Sequence, residues 1–239
     1  MPYLRTEPEL RAHHANVGLL FDDSAALYDR LNRVVGLGMG ERYRGDALRR
    51  SGLAPGMTIL DVGCGTGVLA AHAQRLVGPT GRVIALDPSL GMLGVARDKR
   101  GLEVVQATAE RLPLPDGCID VLVMGYALRH LEQLAPVFAE FARVLRPSGR
   151  LLMLELLPPR QRLLRRAFRA YLHNAVPWLA ARRKTERLET QRLMDYTWTT
   201  IVRSAAPPQV LDALRRNGFE GAAFRSFAQV LGEYTARRI

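Results

Sequence analysis

Asp61-Val62-Gly63-Cys64-Gly65-Thr66-Gly67 stands directly between a strand-like run, Thr58 to Val62, and a helical pattern, Val68 to Leu76. Three glycines at alternate positions let the backbone turn sharply and approach a ligand closely, where a Cβ at Gly63 or Gly65 would collide with it. The same alternation continues: Arg82 to Leu86 as strand, Leu90 to Arg100 as helix, Glu103 to Gln106 and Val121 to Gly125 as strands, Leu134 to Leu145 as helix, and Arg150 to Glu155 as strand. It predicts an α/β fold, a mostly parallel sheet with helices on both faces. After a basic stretch between Pro158 and Pro208, a helix from Pro208 to Arg216 ends at Asn217-Gly218. Phe219 to Ser226 and Leu231 to Ala236 then read as a C-terminal β-hairpin that completes a seven-stranded sheet. In such sheets ligands sit at the carboxyl ends of the strands.

The spacing of the turn narrows the ligand. A dinucleotide fingerprint would need its third glycine at Val68, and a phosphate-binding P-loop would need Gly-Lys-Ser/Thr, which is absent. The leading Asp61 carboxylate would repel phosphates and suits a cation. S-adenosylmethionine carries an ammonium and a sulfonium and no phosphate, so it fits electrostatically. Asp87, with Pro88 after it, ends the second strand about 20 residues beyond the turn, where a carboxylate can accept hydrogen bonds from ribose hydroxyls. Thr108-Ala109-Glu110 follows the third strand, where an adenine ring packs.

Composition excludes other classes. At 239 residues, 48% hydrophobic and 24% charged, the chain reads as one globular domain, 1–239. Within it we distinguish an N-terminal helical segment (1–50), a cofactor-binding core (57–157), a basic helical insertion (158–206) and a terminal helix with hairpin (207–239). Two cysteines, Cys64 and Cys118, are too few for a disulfide framework or a zinc site, so a reducing compartment and no metal are expected. Met1 to His14 lacks the apolar stretch of a secretory signal, and the longest apolar runs are strand-sized, which predicts a cytoplasmic chain.

The charge is local. Arg160 to Arg192 holds ten basic residues against Glu186 and Glu189, net +8 of the chain's +11. Leu164, Phe168, Tyr171, Leu172, Ala175, Val176 and Leu179 fall at helical spacing within it, a basic amphipathic helix kinked at Pro177. Two readings stay open: a surface helix burying its stripe in the core, or contact with an anionic membrane or a lipophilic ligand through 160–192.

At this point the chain resembles class I S-adenosylmethionine-dependent methyltransferases, and within them the ubiquinone/menaquinone biosynthesis C-methyltransferase family. Tyr28-Asp29-Arg30-Leu31-Asn32 matches that family's Tyr-Asp-x-x-Asn, Ala127-Leu128-Arg129-His130 its Gly-Leu-Arg-Asn, and Arg146-Pro147-Ser148-Gly149-Arg150-Leu151 also fits. The resemblance covers roughly residues 20 to 239 and implies a Rossmann-like fold. It also implies cofactor contacts at Thr66, Asp87, Thr108 and Ala109, with Gly125 near the methionine end, beside the Asp61, Gly63, Gly65 and Gly67 read from the turn. It places Arg129, His130 and Tyr28 in the catalytic neighbourhood. The family usually has Asn at Thr108, Ser at Gly125, Asn at His130 and Asp at Val68.

The implied reaction is methylation of a quinol ring carbon, with Arg129 stabilising a phenolate and His130 taking the phenol proton. The residues alone leave Arg129 open to a structural salt bridge and His130 to a loop hydrogen bond. A lipophilic aromatic acceptor suits the insertion, whose Leu, Phe, Tyr and Trp178 side chains would line a channel. Methylation of another small aromatic or lipid-like acceptor is the competing reading, and a non-catalytic scaffold is a third. Nucleic acid is disfavoured as partner: Gly125-Tyr126-Ala127-Leu128 stands where an adenine-N6 enzyme has Asn/Asp-Pro-Pro-aromatic. Oligomeric state does not follow from residue types, and a dimer is compatible with them.

Overall fold

The first strand, β1 (Thr58–Val62), shows how one short run organises both faces of the sheet. Leu60 and Val62 point into an apolar cluster with Leu122, Met124, Phe138 and Phe141. Ile59 points the other way, into a cluster with Ala70, Ala73, Val83, Val121 and Leu154. Successive side chains of a strand alternate in direction, so Asp61 shares its face with Ile59.

The computed structural model describes residues 28–36, 38, 40–181 and 183–239. Residues 28–35 form α1, and Gly40–Arg50 form α2. Then follow α3 (Val68–Val77), β2 (Arg82–Asp87), α4 (Leu90–Arg100), β3 (Glu103–Gln106) and β4 (Ile119–Gly125). Next come α5 (Leu134–Val144) and β5 (Leu145–Leu156). The insertion carries α6 (Arg162–Ala170), a π-helical turn (Tyr171–Ala175), α7 (Val176–Ala180) and α8 (Lys184–Arg203), before α9 (Pro207–Arg216), β6 (Phe219–Phe227) and β7 (Leu231–Arg238).

The strands form one seven-stranded sheet in the order β3-β2-β1-β4-β5-β7-β6. β1 to β5 are parallel, and β7 pairs antiparallel with both β5 and β6, giving the expected Rossmann-like sheet and C-terminal hairpin. From β1 the chain steps outward to β2 and β3, then returns to the opposite side of β1 as β4. That reversal opens a crevice at the carboxyl ends of β1 and β4.

Two expectations shift. The strand expected from Arg150 begins at Leu145, which pairs with Ile119, and the register then jumps to Val121 opposite Arg150. The residues between bulge out, with Ser148 at φ 61°. The insertion divides its apolar stripe. Leu172 and Val176 are buried with Leu31, Leu193, Met194 and Ile201 in a third cluster, and Phe168 and Tyr171 pack against it. Leu164 and Leu179, at the ends of the stripe, are 37% and 53% exposed, and Trp178, expected along a channel, is 66% exposed. The π-helical turn stands just ahead of Pro177, whose missing N–H makes a regular helix unattainable there. Residues 1–27 of the expected N-terminal segment, and Arg182 of the basic stretch, lie outside the described residues. Among the described residues no helix is long and apolar enough to cross a membrane.

Candidate active site

The glycine turn is pinned to the second strand. Gly63 and Cys64 donate their N–H groups to Leu86 O at 2.8 and 3.0 Å, and Gly65 donates to Asp87 Oδ2 at 2.8 Å. Asp87 Oδ1 accepts Ser89 N–H at 2.9 Å, so two backbone donors hold the carboxylate at the strand end. Gly63 has φ 67°, and a Cβ there would lie 2.6 Å from Ala127 Cβ, so the close neighbour that demands glycine is the chain after β4. Around Asp87 opens a cavity lined by Gly63, Gly65, Pro88, Met92, Thr108, Ala109, Gly125 and Leu131.

Two residues of the turn also serve the fold. Thr66 is buried and its hydroxyl donates to Asp29 Oδ1 at 2.6 Å, fastening α1 to the turn. Gly67 lines none of the three cavities around the turn. At φ 80° a Cβ there would lie 2.5 Å from Leu102 Cδ1 and 3.0 Å from Ala96 Cβ, so it lets α3 start against α4. The turn assigned Gly67 to the cofactor and the family resemblance assigned Thr66; Thr66 lines a small cavity beside Asp61, while Gly67 lies against α4.

Asp61 is fully buried, and neither of its oxygens has a hydrogen-bond partner among the described residues. Burial pushes its carboxyl up to about 8. The amide of Ala70 offsets part of that rise without closing a hydrogen bond, Asp87 adds to it, and Arg44 opposes it. Asp61 lines a second, small cavity with Asn32, Arg44, Cys64, Thr66 and Gly125. Burial also holds the Cys64 thiol well above its ordinary value, which makes it a poor nucleophile.

A third cavity, of about 390 Å³, lies beneath the insertion and is overwhelmingly apolar, with Leu31, Val35, Leu156, Phe168, Met194 and Leu231 among its walls. Tyr28 and Tyr126 line all three cavities and mark their junction. Tyr126 holds a left-handed backbone conformation, φ 63°, fixed by its N–H to Leu154 O at 2.7 Å and by its carbonyl accepting Arg129. Burial raises the hydroxyls of Tyr28, Tyr126 and Tyr196, so at neutral pH they are donors.

Arg129 and His130 are adjacent in a 3₁₀ turn, Leu128–His130, and face different cavities. Arg129 lines the apolar one, its guanidinium buried and paired with Glu155 at 2.8 Å, so the structural salt bridge exists. Its Nε has no hydrogen-bond partner among the described residues. His130 lines the cavity around Asp87, with Nδ1 3.0 Å from Tyr196 Oη. Sequence reasoning missed Arg44, Tyr126, Glu155 and Asp29 as parts of this site. Asp29 was within reach, since it belongs to the matched Tyr28-to-Asn32 motif; the others depend on tertiary contacts.

The model of the ubiE/COQ5 methyltransferase family matches residues 9–230. The chain belongs to this family. Among its relatives, the ubiquinone/menaquinone biosynthesis C-methyltransferase UbiE of Pseudomonas putida (strain GB-1) is 39% identical over 185 residues, 74% of this chain and 72% of that protein. The demethylmenaquinone methyltransferase of Lactococcus lactis is 31% identical over 194 residues, 79% and 75% of the two chains. Solved structures share the fold at lower identity. A SAM-dependent methyltransferase from Aquifex aeolicus has TM-score 0.60 at 20% identity, covering 82% of this chain and 89% of that one. The [4+2]-cyclase SpnF has TM-score 0.63 at 19% identity, covering 93% and 95%.

As a member of the ubiE/COQ5 family the chain is a methyltransferase, and its cofactor is S-adenosylmethionine. The residues present fit that cofactor. Asp61 presents two buried oxygens without hydrogen-bond partners among the described residues beside the glycine turn, suited to an ammonium, and Asp87 places a carboxylate at the strand end, a group that accepts from ribose hydroxyls. Pro88, Met92, Ala109 and Leu131 give a flat aromatic ring apolar walls.

Proposed function

We propose that this chain methylates a ring carbon of a hydroquinone carrying an apolar tail, in ubiquinone/menaquinone-type biosynthesis. The observation that carries the reading is the junction at Tyr28 and Tyr126, where an apolar cavity large enough for a substituted ring meets the cavity around Asp87. The names of the relatives from Pseudomonas putida and Lactococcus lactis support a quinone acceptor.

When bound, S-adenosylmethionine supplies an electrophilic methyl group. The cofactor residues are Asp61, Gly63, Gly65, Thr66, Asp87, Pro88, Thr108, Ala109 and Gly125. Thr66 also holds Asp29, and Gly67 acts behind them by seating α3. The acceptor ring is sandwiched by apolar walls, and its hydroxyl takes a hydrogen bond from Arg129 Nε. Because Glu155 neutralises Arg129, that group offers a directed hydrogen bond rather than a net charge. His130 stands on the cofactor side of the junction and takes the phenol proton through water. Ionising the hydroxyl raises the electron density of the ring carbon that is methylated. Tyr28 closes the junction from α1.

The insertion delivers the acceptor. α6 has no buried residue, carries Arg162, Arg165, Arg166 and Arg169, and exposes Leu163 at 80%, while Leu164, Ala167 and Phe168 of the same helix line the acceptor cavity. A helix of that kind lies on an anionic membrane surface with the cavity opening beneath it. The described residues of the four segments, 1–50, 57–157, 158–206 and 207–239, work as one unit around the junction.

A deletion strain tests the reading through its lipid extract. A quinone precursor lighter by one methylene accumulates, and the intact gene restores the mature quinone; an unchanged quinone profile would contradict the reading.

A further inference from the structure

Arg44 is a buried cation with no counter-ion among the described residues. The residue is 7% exposed, lies on α2, and places its guanidinium carbon 4.8 Å from the centroid of the Tyr126 ring. No hydrogen bond or ion pair to a described residue accompanies that contact, whereas the other buried arginine at the junction, Arg129, is matched by Glu155. Space is reserved for it: a Cβ on Gly40 would lie 3.1 Å from Arg44 Nη1. A buried charge is retained at a cost unless a partner arrives, so an unmatched one beside a cavity points to a ligand of opposite sign.

The small cavity defines that ligand. It is lined by Arg44 and by Asp61, whose oxygens also lack hydrogen-bond partners among the described residues, so it holds one cation and one carboxyl unmatched by them. The complement of such a pair is an amino-acid zwitterion, with its ammonium toward Asp61 and its carboxylate toward Arg44. The methionine end of the cofactor is a group of that chemistry.

Arg44 also lines the apolar acceptor cavity. In the ligand-free protein that wall therefore carries a positive charge without a counter-ion among the described residues, and seating an apolar-tailed acceptor there strips its hydration at a cost. We propose, building on the reading of the chain as an S-adenosylmethionine-dependent quinol methyltransferase, that Arg44 receives the carboxylate of the cofactor's methionine end. Neutralising Arg44 in this way makes the adjoining cavity receptive to the acceptor, so the cofactor binds first. Linkage makes the effect reciprocal: the acceptor tightens the cofactor by the factor with which the cofactor tightens the acceptor.

Calorimetric titration of the purified full chain tests this with two probes, S-adenosylhomocysteine and its analogue lacking the carboxylate. The wild type binds S-adenosylhomocysteine about tenfold or more tighter than the analogue. Arg44→Gln loses about that factor for S-adenosylhomocysteine and keeps its affinity for the analogue, and Arg44→Lys recovers part of the loss. In the wild type a short-chain demethylated quinol binds more tightly when S-adenosylhomocysteine saturates the protein, and in Arg44→Gln that enhancement disappears. Equal losses for both probes in Arg44→Gln would give Arg44 a merely structural role and overturn the proposal. So would a wild type that binds both probes alike, a comparison that needs no variant to fold. A wild type that binds neither probe would overturn the cofactor reading itself, and this proposal with it.

Discussion

Arg129 Nη1 lies 2.8 Å from Glu155 Oε1, with the two side chains 4% and 1% exposed. Glu155 Oε2 also accepts the backbone N–H of Arg129 at 2.9 Å, so one carboxylate on β5 fixes both the side chain and the 3₁₀ turn that carries His130. The pair is net neutral, which changes what Arg129 contributes: orientation at the junction in place of bulk positive charge.

Glu155→Gln leaves the Arg129 charge buried and unmatched. Urea unfolding is expected to show a loss of about 3–5 kcal/mol, whereas the double variant Arg129→Met/Glu155→Leu, which removes both charges, stays much closer to the wild type. A Glu155→Gln protein within about 1 kcal/mol of the wild type would mean the pair is not confined as its burial indicates.

Cofactor binding is expected to expel a proton through Asp61. Its ligand-free value is raised from 3.8 to about 8 by burial and by Asp87, against the opposing field of Arg44. At neutral pH the group is therefore protonated, and an ammonium selects the ionised form. Affinity for S-adenosylhomocysteine rises with pH below about 8 and levels off there. Calorimetry at neutral pH in two buffers of different ionisation enthalpy reads close to one proton released by the wild type and none by Asp61→Asn. The same shift makes the ligand-free fold lose stability as pH climbs from 3.8 towards 8, because the folded state binds more protons than the unfolded one there. Equal proton release by wild type and Asp61→Asn would contradict this assignment.

Asp29 latches α1 over the turn. One oxygen accepts Thr66 Oγ1 at 2.6 Å, and the other pairs with Arg100 at 2.9 Å. Although burial pushes its carboxyl up, Thr66 and Arg100 hold it below 3.8, so the latch is intact at neutral pH and releases only as pH falls through that lowered value. Asp29→Asn is expected to speed S-adenosylhomocysteine release roughly tenfold, measured by stopped flow. An unchanged release rate would show that α1 does not retain the cofactor.

α6 predicts binding to anionic vesicles. Replacing Arg162, Arg166 and Arg169 with Gln removes up to about 1 kcal/mol per arginine of vesicle affinity. Sedimentation with phosphatidylglycerol vesicles at low salt is expected to pull down the wild type and leave the triple variant in solution. Turnover of a short-chain, water-soluble quinol stays unchanged. Equal sedimentation of the two proteins would remove the membrane role.

The sheet was legible because its signals are local: short apolar runs of strand length alternating with helical patterns, and a glycine turn between strand and helix, declare themselves within a few residues. Asp61 and Asp87 were legible for the same reason, as strand-end carboxylates beside that turn. Arg44 was not, since nothing around it on α2 says that its charge lies against Tyr126, 82 positions away in the chain. Arg129 and His130 were found together but given to one pocket. In a turn of three residues per revolution, neighbours point about 120° apart, which sends them to different cavities. The amphipathic insertion was legible as a helix, while the division of its stripe between core and surface depends on α1 and α8 packing beneath it.

Incubating the purified protein with methyl-labelled S-adenosylmethionine and a reduced demethylated quinol, then locating the label by carbon NMR, tests the central claim most directly. The account predicts label on a ring carbon, dependent on the quinol being present and reduced. Label on oxygen, or no transfer by a protein that binds S-adenosylhomocysteine, would contradict it.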